Sequence, residues 1–237
     1  MGVQLLLADC GNQRLKLAAE SLQEVSTFRW REPSERERLF GFLKQQKIRC
    51  VRLASSSAEG SAAIRTMGLQ DVGVHQVTPE DVPLCIQTTG TGVDRLLAAW
   101  YAYQMTDHAV LVADCGTAFT LDCVDASGNF LGGAIGAGLG TQEAALQQAC
   151  PHLDLPGESQ RGIPADTASA VEAGTRRAFA YALSGLADDF LTHANLTQAN
   201  AVRCFLTGGD AERIASLLPS WEREEHMVLK ALAALPS

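Results

Sequence analysis

The chain has no apolar run of the ~18 residues that a membrane-crossing helix needs. Its early stretch Leu5-Leu6-Leu7 meets Asp9 too soon to form the core of an export signal. A soluble, unexported cytoplasmic protein with no membrane partner is therefore expected. Seven cysteines, an odd number with no Cys-x-x-Cys among them, disfavour both a disulfide framework and a zinc knuckle. They read as reduced thiols. The five histidines, at 75, 108, 152, 193 and 226, show no close pairing that would suggest metal ligands or a catalytic base. Neither Gly-x-Ser-x-Gly nor Gly-x-x-x-x-Gly-Lys-Ser/Thr occurs, so nothing rests on a nucleophile elbow or a P-loop. Positive charge is also scarce. Residues 1–107 hold 12 Lys/Arg against 12 Asp/Glu, residues 108–237 hold 7 against 15, and the net charge is −8. That acidic second half argues against nucleic acid as a partner. The cluster from Arg29 to Arg38 alternates in sign and reads as a solvated face.

What is present is enough apolar sequence for a sizeable core, 46% of 237 residues, and an internal repeat. Residues 5–18 contain Leu-Leu-Leu-Ala-Asp-Cys-Gly-Asn, and residues 110–123 contain Val-Leu-Val-Ala-Asp-Cys-Gly-Thr. Each is an apolar run, Asp-Cys-Gly with a small polar residue, then a second alternating run. The pattern predicts strand, tight glycine turn, strand. Occurring at the start of each half, it predicts two similarly built α/β lobes, 1–107 and 108–237, with the two turns facing one another.

Helical spacing predicts helices over 35–47, 58–67 (capped by Ser57), 95–104 and 141–149, and a long one from Asp166 or Thr167 toward His193. A strand is expected over 49–54. The turn at Asp125-Ala-Ser-Gly128 leads into a further strand over 129–135, and a strand from Val202 to Leu206 enters Thr207-Gly208-Gly209-Asp210 before a helix over 211–218. Trp100, Tyr101 and Tyr103 read as packing on the third of these helices.

Two clusters could carry chemistry. A glycine at a hairpin tip lets backbone amides approach an anion, a carboxylate beside it can hold Mg²⁺, and Lys16 on the returning strand can reach a phosphate. An ordinary Asp-Gly hairpin is the bland alternative, and repetition at Asp114-Cys115-Gly116-Thr117 favours a clamp for nucleotide phosphates and metal. Asp94, at the natural cap of its helix, either caps it or, with Arg95, takes a proton from a substrate hydroxyl during phosphoryl transfer.

Taken together, Asp9-x-Gly-Asn12-x-x-x-Lys16, Gly92-x-Asp94-Arg95, Asp114-x-Gly-Thr117-Ala-x-Thr120-x-Asp122, Gly132-Gly133-x-Ile135-x-x-Gly138-Leu139, Asp166-Thr167 and Thr207-Gly208-Gly209 resemble the type III pantothenate kinases. The resemblance runs over nearly the whole chain. It implies the acetate and sugar kinase, Hsp70 and actin superfamily, with two ribonuclease H-like lobes, an interlobe cleft and a homodimer. The activity it implies is ATP-dependent phosphorylation of pantothenate, the first step of coenzyme A synthesis, with Mg²⁺ or another divalent cation and K⁺ or NH₄⁺.

By position, the resemblance makes Asp9, Cys10, Gly11, Asn12, Gln13, Arg14, Leu15 and Lys16 the ATP phosphate loop, with Asp9 serving Mg²⁺ through the phosphate site. Thr117 becomes an ATP contact and Asp114 the monovalent-cation ligand. Gly92, Val93, Asp94, Arg95 and Thr167 contact pantothenate, Asp94 as the base and Thr167 near the dimer interface. Three positions depart from the family pattern. Gln13 stands where Thr or Ser is usual, Cys85-Ile-Gln-Thr-Thr89 where a Tyr and an Asn-Pro are usual, and Ala137 where a proline is usual. The alternative expectations are a non-catalytic nucleotide-binding accessory or regulatory protein of the same fold, and another kinase or phosphohydrolase of the superfamily.

Overall fold

The computed structural model describes residues 5–66, 72–106, 108–153, 162–194, 196 and 202–236. The chain opens with β1 (Leu5–Cys10), β2 (Leu15–Ala19), β3 (Val25–Phe28), α1 (Pro33–Gln45), β4 (Cys50–Ser55), α2 (Ala58–Thr66) and β5 (Gly73–Gln76). A 3₁₀ turn over Pro79–Asp81, β6 (Cys85–Ile86) and α3 (Val93–Gln104) lead to β7 (Val110–Cys115), β8 (Ala118–Val124) and β9 (Asn129–Ala137). Then come α4 (Leu139–Ala149), α5 (Thr167–Glu172), a π-helical turn (Ala173–Arg177) and α6 (Ala178–His193). β10 (Arg203–Thr207), α7 (Ala211–Ala215), β11 (Glu222–Arg223) and α8 (Met227–Ala234) close the chain. Among the described residues, no helix is long and apolar enough to cross a membrane.

The chain divides into two compact units, one of Met1–Leu84, Thr89–Tyr101 and His226–Ser237, the other of Cys85–Thr88 and Ala102–Glu225. It passes between them more often than a single break near Asp107, itself outside the described residues, would allow. In the first unit the sheet order is β3-β2-β1-β4-β5. β2 runs antiparallel to β1 and β3, while β4 runs parallel to β1 and β5. The second unit repeats this order as β9-β8-β7-β10-β11, with β6 added beyond β9. A three-stranded antiparallel meander followed by two parallel strands is a ribonuclease H-like sheet, so the chain is an α/β protein with two such units.

The repeated tetrad Ala-Asp-Cys-Gly explains why the units match. Side chains alternate faces along a strand, so Ala8 and Cys10 enter the core with Leu6, Leu39, Leu43, Leu53 and Ile64, and Asp9 points to the other face. In the second unit Ala113 and Cys115 do the same against Leu139, Phe179, Leu183 and Ile214, which sets Asp114 opposite them. Leu53 is fully buried, and its truncation to alanine costs ~2–5 kcal/mol at such a site. The other face of the first sheet receives α8, whose final carbonyls are bound by Arg52: Nη1 donates to Leu232 O at 2.7 Å and Leu235 O at 3.0 Å. A guanidinium so placed satisfies carbonyls that a helix end leaves without partners.

Local signals account for the helix starts. Pro33 opens α1, with Glu35 in its first turn and Lys44 in its last. Ser57 Oγ accepts from Gly60 N at the start of α2, as its sequence position predicts. Asp166 caps α5 by accepting from Ser169 N at 2.8 Å, and this bond holds its carboxyl below the usual range. One expectation is corrected. Asp94 does not cap α3: the helix begins a residue earlier, at Val93, with Gly92 O accepting from Leu96 N. Asp94 therefore sits inside the first turn. The long helix expected from Thr167 is likewise interrupted by the π-helical turn, which no periodicity announces.

Candidate functional site

In the first unit the β1–β2 loop, residues 11–14, is closed by Gly11 N donating to Arg14 O at 2.9 Å. Asp9 pairs directly with Lys16 across the strands, and Lys16 Nζ lies 3.6 Å from Asp9 Oδ2. Burial raises the Asp9 carboxyl above its ordinary range, Lys16 opposes that shift, and the neighbouring Asp94 carboxylate adds to it. Two acids from distant segments, β1 and α3, thus lie near one another, with Lys16 beside Asp9. Cys10 and Leu15 turn into the core, so only their main chain is left for a ligand. Burial pushes the Cys10 thiol up to about 12, which makes it an inert packing group. Asn12, Gln13 and Arg14 are exposed.

Asp94 is half-buried in the first turn of α3, where its Oδ1 accepts from Arg95 N at 3.0 Å. Gly92 makes room for it. A Cβ at that position would lie 2.5 Å from Asp94 Oδ1 and 3.8 Å from Ser56 Cβ. The glycine thus does more than loosen a turn, because it leaves space for a carboxylate that can accept a proton. Val93 is buried, whereas Arg95 is half-buried on the same turn.

In the second unit the equivalent turn is tighter, Gly116 and Thr117 alone, with Gly116 N donating to Ala118 O. Asp114 stands at its base. The turn is buttressed from two sides. Gly138 N and Thr141 Oγ1 both donate to Thr117 O, at 3.0 and 2.6 Å. From the other side, Asp210 N donates to Cys115 O at 2.9 Å. Gly208, at φ +91°, brings its Cα so close that a Cβ would sit 2.4 Å from Asp114 Oδ1. Asp210 accepts from Gly140 N and from Arg213, and Arg213 also binds both oxygens of Glu143 at 2.6 and 2.7 Å. Gly208, in the turn the sequence placed between strand and helix, is seated against Asp114 in the structure. Glu143 and Arg213 were not foreseen, since their pairing links residues 70 apart, as does the bond from Gly140 to Asp210. Thr117 and Thr167 are exposed, the latter at the first position of α5.

Among the described residues, no three His, Cys, Asp or Glu side chains lie close enough to hold a metal ion by themselves. A divalent ion here would therefore have to draw part of its coordination from outside these side chains.

Two ribonuclease H-like units, each with an aspartate at the same hairpin base, define the actin-like ATPase class of fold. The comparisons narrow this. A model of the type III pantothenate kinase family matches residues 5–189. The type III pantothenate kinase of Synechococcus elongatus is 36% identical over 162 residues, covering 65% of this chain and 63% of that protein. That of Flavobacterium johnsoniae is 30% identical over 222 residues, covering 90% and 89%. The chain therefore belongs to the type III pantothenate kinase family, although it spans less than two thirds of the length of the Synechococcus relative. A crystal structure of a Campylobacter jejuni protein described as a Baf family transcriptional activator superposes with TM-score 0.66 at 18% identity, covering 97% of this chain and 96% of that one. This last likeness concerns the fold alone.

Proposed function

We propose that the protein transfers the γ-phosphoryl group of ATP to the primary hydroxyl of pantothenate, the reaction that opens coenzyme A synthesis. The observation that carries this is the Asp94 carboxylate, lodged in the space left by Gly92 and close enough to Asp9 to help raise the Asp9 carboxyl. Asp94 accepts the hydroxyl proton as the oxygen forms its bond to phosphorus and the bond to the ADP oxygen breaks. Lys16, balanced by Asp9, offers a mobile positive charge to the phosphates. Gly92, Val93, Arg95 and Thr167 are the pantothenate contacts, and residues 9–16 with Thr117 contact ATP.

Both cations fit residues that are present. Asp9 is a hard oxygen donor whose charge burial and Asp94 disfavour, and a divalent ion such as Mg²⁺ held through the phosphates would relieve that. When bound, it would neutralise charge developing on the phosphate oxygens. Asp114, in a recess that a Cβ on Gly208 would fill, suits K⁺ or NH₄⁺.

A homodimer is part of the same proposal. Gly174, Ala178, Tyr181, Ala182 and Gly185 are all exposed and recur along one face of the π-helical turn and α6. Nothing lies within 4 Å of a Cβ built on Gly174 or Gly185. Small residues flanking one large exposed aromatic suit a second copy of this chain better than water. The excess of acid gives no reason to add nucleic acid, and we place the reaction in the cytoplasm, where reduced thiols persist.

The test is phosphopantothenate formation with ATP, Mg²⁺ and K⁺, run beside Asp94→Asn. Product from the unaltered protein, at least 10²-fold less from the variant, and unchanged ATP binding in both is the expected result. Full activity in Asp94→Asn would remove the base. ATP binding without product from either would favour an accessory role, for which the amide of Gln13 in the phosphate loop is the motivating observation.

A further inference from the structure

Within the first unit, the loop of residues 11–14 is held by a side-chain pair from beyond β3. Trp30 is buried, and its Nε1 donates to Gly11 O at 3.0 Å. The guanidinium of Arg31 lies over the same indole, 4.5 Å from the ring centroid. Its Nε donates to Asn12 O at 2.7 Å and its Nη2 to Asn12 Oδ1 at 3.1 Å. The remaining arm, Nη1, donates to Glu59 Oε1 at 3.0 Å in the first turn of α2. One planar fork therefore meets a main-chain carbonyl, a side-chain carbonyl and a carboxylate at once.

The chemical consequence lies in which groups are consumed. Gly11 O, Asn12 O and Asn12 Oδ1 are all acceptors, and each would repel a phosphate oxygen. With Oδ1 facing the guanidinium, the amide of Asn12 can offer only its Nδ2 donors elsewhere. We propose that Arg31, with Trp30 as its platform and Glu59 as its counter-charge, is a positioning residue of the nucleotide site. Arg31 takes up both acceptors of Asn12 while Trp30 takes up Gly11 O, so that this part of the loop presents donors to a triphosphate. The proposal rests on the assignment of residues 9–16 to ATP phosphates. Lysine cannot substitute, because an ammonium is a point charge on a flexible stem and cannot span three acceptors in one plane.

The experiment is calorimetric titration of ATP with Mg²⁺ and K⁺ into the unaltered protein, Arg31→Ala, Arg31→Lys, Glu59→Gln and Lys16→Ala, with KM for ATP and for pantothenate measured on each. Arg31→Ala and Arg31→Lys should weaken ATP binding to a similar extent, about tenfold, and raise KM for ATP while leaving KM for pantothenate unchanged. Glu59→Gln, at an exposed position that should not compromise folding, should weaken ATP binding about two- to threefold. Wild-type affinity in Arg31→Lys would show that charge alone suffices and overturn the fork. If Arg31→Ala binds ATP normally while Lys16→Ala does not, the positioning role falls and the phosphate loop stands. Normal binding in Lys16→Ala as well would remove the loop assignment itself.

Discussion

Replacing Gly208 by alanine tests whether the two ends of β7 and β10 are fitted to one another as closely as the structure shows. Gly208 has φ +91°, where an L-residue with a Cβ is strained by ~1–2 kcal/mol. The added carbon would also stand 2.6 Å from both Cys115 C and Cys115 N, and 2.4 Å from Asp114 Oδ1. The carboxylate can swing aside, but the two backbone atoms can move only with the end of β7, and forcing an extra carbon into packed structure costs ~1–3 kcal/mol. The expected loss is about 2–5 kcal/mol, a fall of roughly 10 °C in melting temperature for a chain of this length. Gly41→Ala is the matched control. It sits inside α1, a Cβ there meets nothing within 4 Å, and helix propensity predicts a gain of up to ~1 kcal/mol. Thermal and urea denaturation followed by circular dichroism would measure both. Should Gly208→Ala melt within about 2 °C of the unaltered protein, the close approach to Asp114 and Cys115 is wrong, and with it the recess assigned to a cation.

Exchanging K⁺ for Na⁺ should lower phosphotransfer severalfold, and Asp114→Asn should abolish the difference between the two salts; equal initial rates of the unaltered protein in both would count against Asp114 as the ligand. Ala182→Arg places a long charged side chain in the middle of the exposed small-residue face of α6, and sedimentation velocity should then show monomer where the unaltered protein shows dimer. An unaltered protein that sediments as monomer at micromolar concentration would refute the dimer directly.

The two-unit architecture was legible because a short repeated tetrad fixes which residues face inward: Ala8 and Cys10, Ala113 and Cys115 could not exchange places with Asp9 and Asp114 without setting a carboxylate among the apolar side chains of each core. Elements stabilised by distant partners were not legible. β6 is two residues long and exists by pairing with β9, Cys85 opposite Asn129 and Ile86 opposite Phe130, so nothing local in Cys85-Ile-Gln-Thr-Thr89 marks it. α8 is held by Arg52, 180 residues away in sequence. The stretch from Arg29 to Arg38 read as a solvated face, and for Arg29 and Arg38, both well exposed, that holds. Arg31 is exposed as well, yet its guanidinium is bound to a loop 19 residues upstream. For Asp94 the sequence pointed to the correct helix turn but to the wrong residue for its cap. Glycine at 92 carries the entry into the helix, and the carboxylate is left for other work.

The repeat also shows why two aspartates at the same fold position need not do the same chemistry. Asp9 stands opposite Lys16 across the β1–β2 ladder, whereas Asp114 stands opposite Thr120 across β7–β8. An ammonium at 3.6 Å offsets the charge of the first carboxylate, so this half of the repeat presents a lysine and an acid together, a combination suited to phosphate with its metal. Thr120 brings no charge to the second, whose strand end is instead met by Gly208 and whose turn is only two residues long. The cation proposed for Asp114 and the phosphate proposed beside Lys16 follow this difference in cross-strand neighbours. If the proposed roles hold, exchanging Lys16 for threonine should weaken phosphate binding at the first hairpin while leaving the fold of the repeat intact, because the two ladders keep the same register around their aspartates.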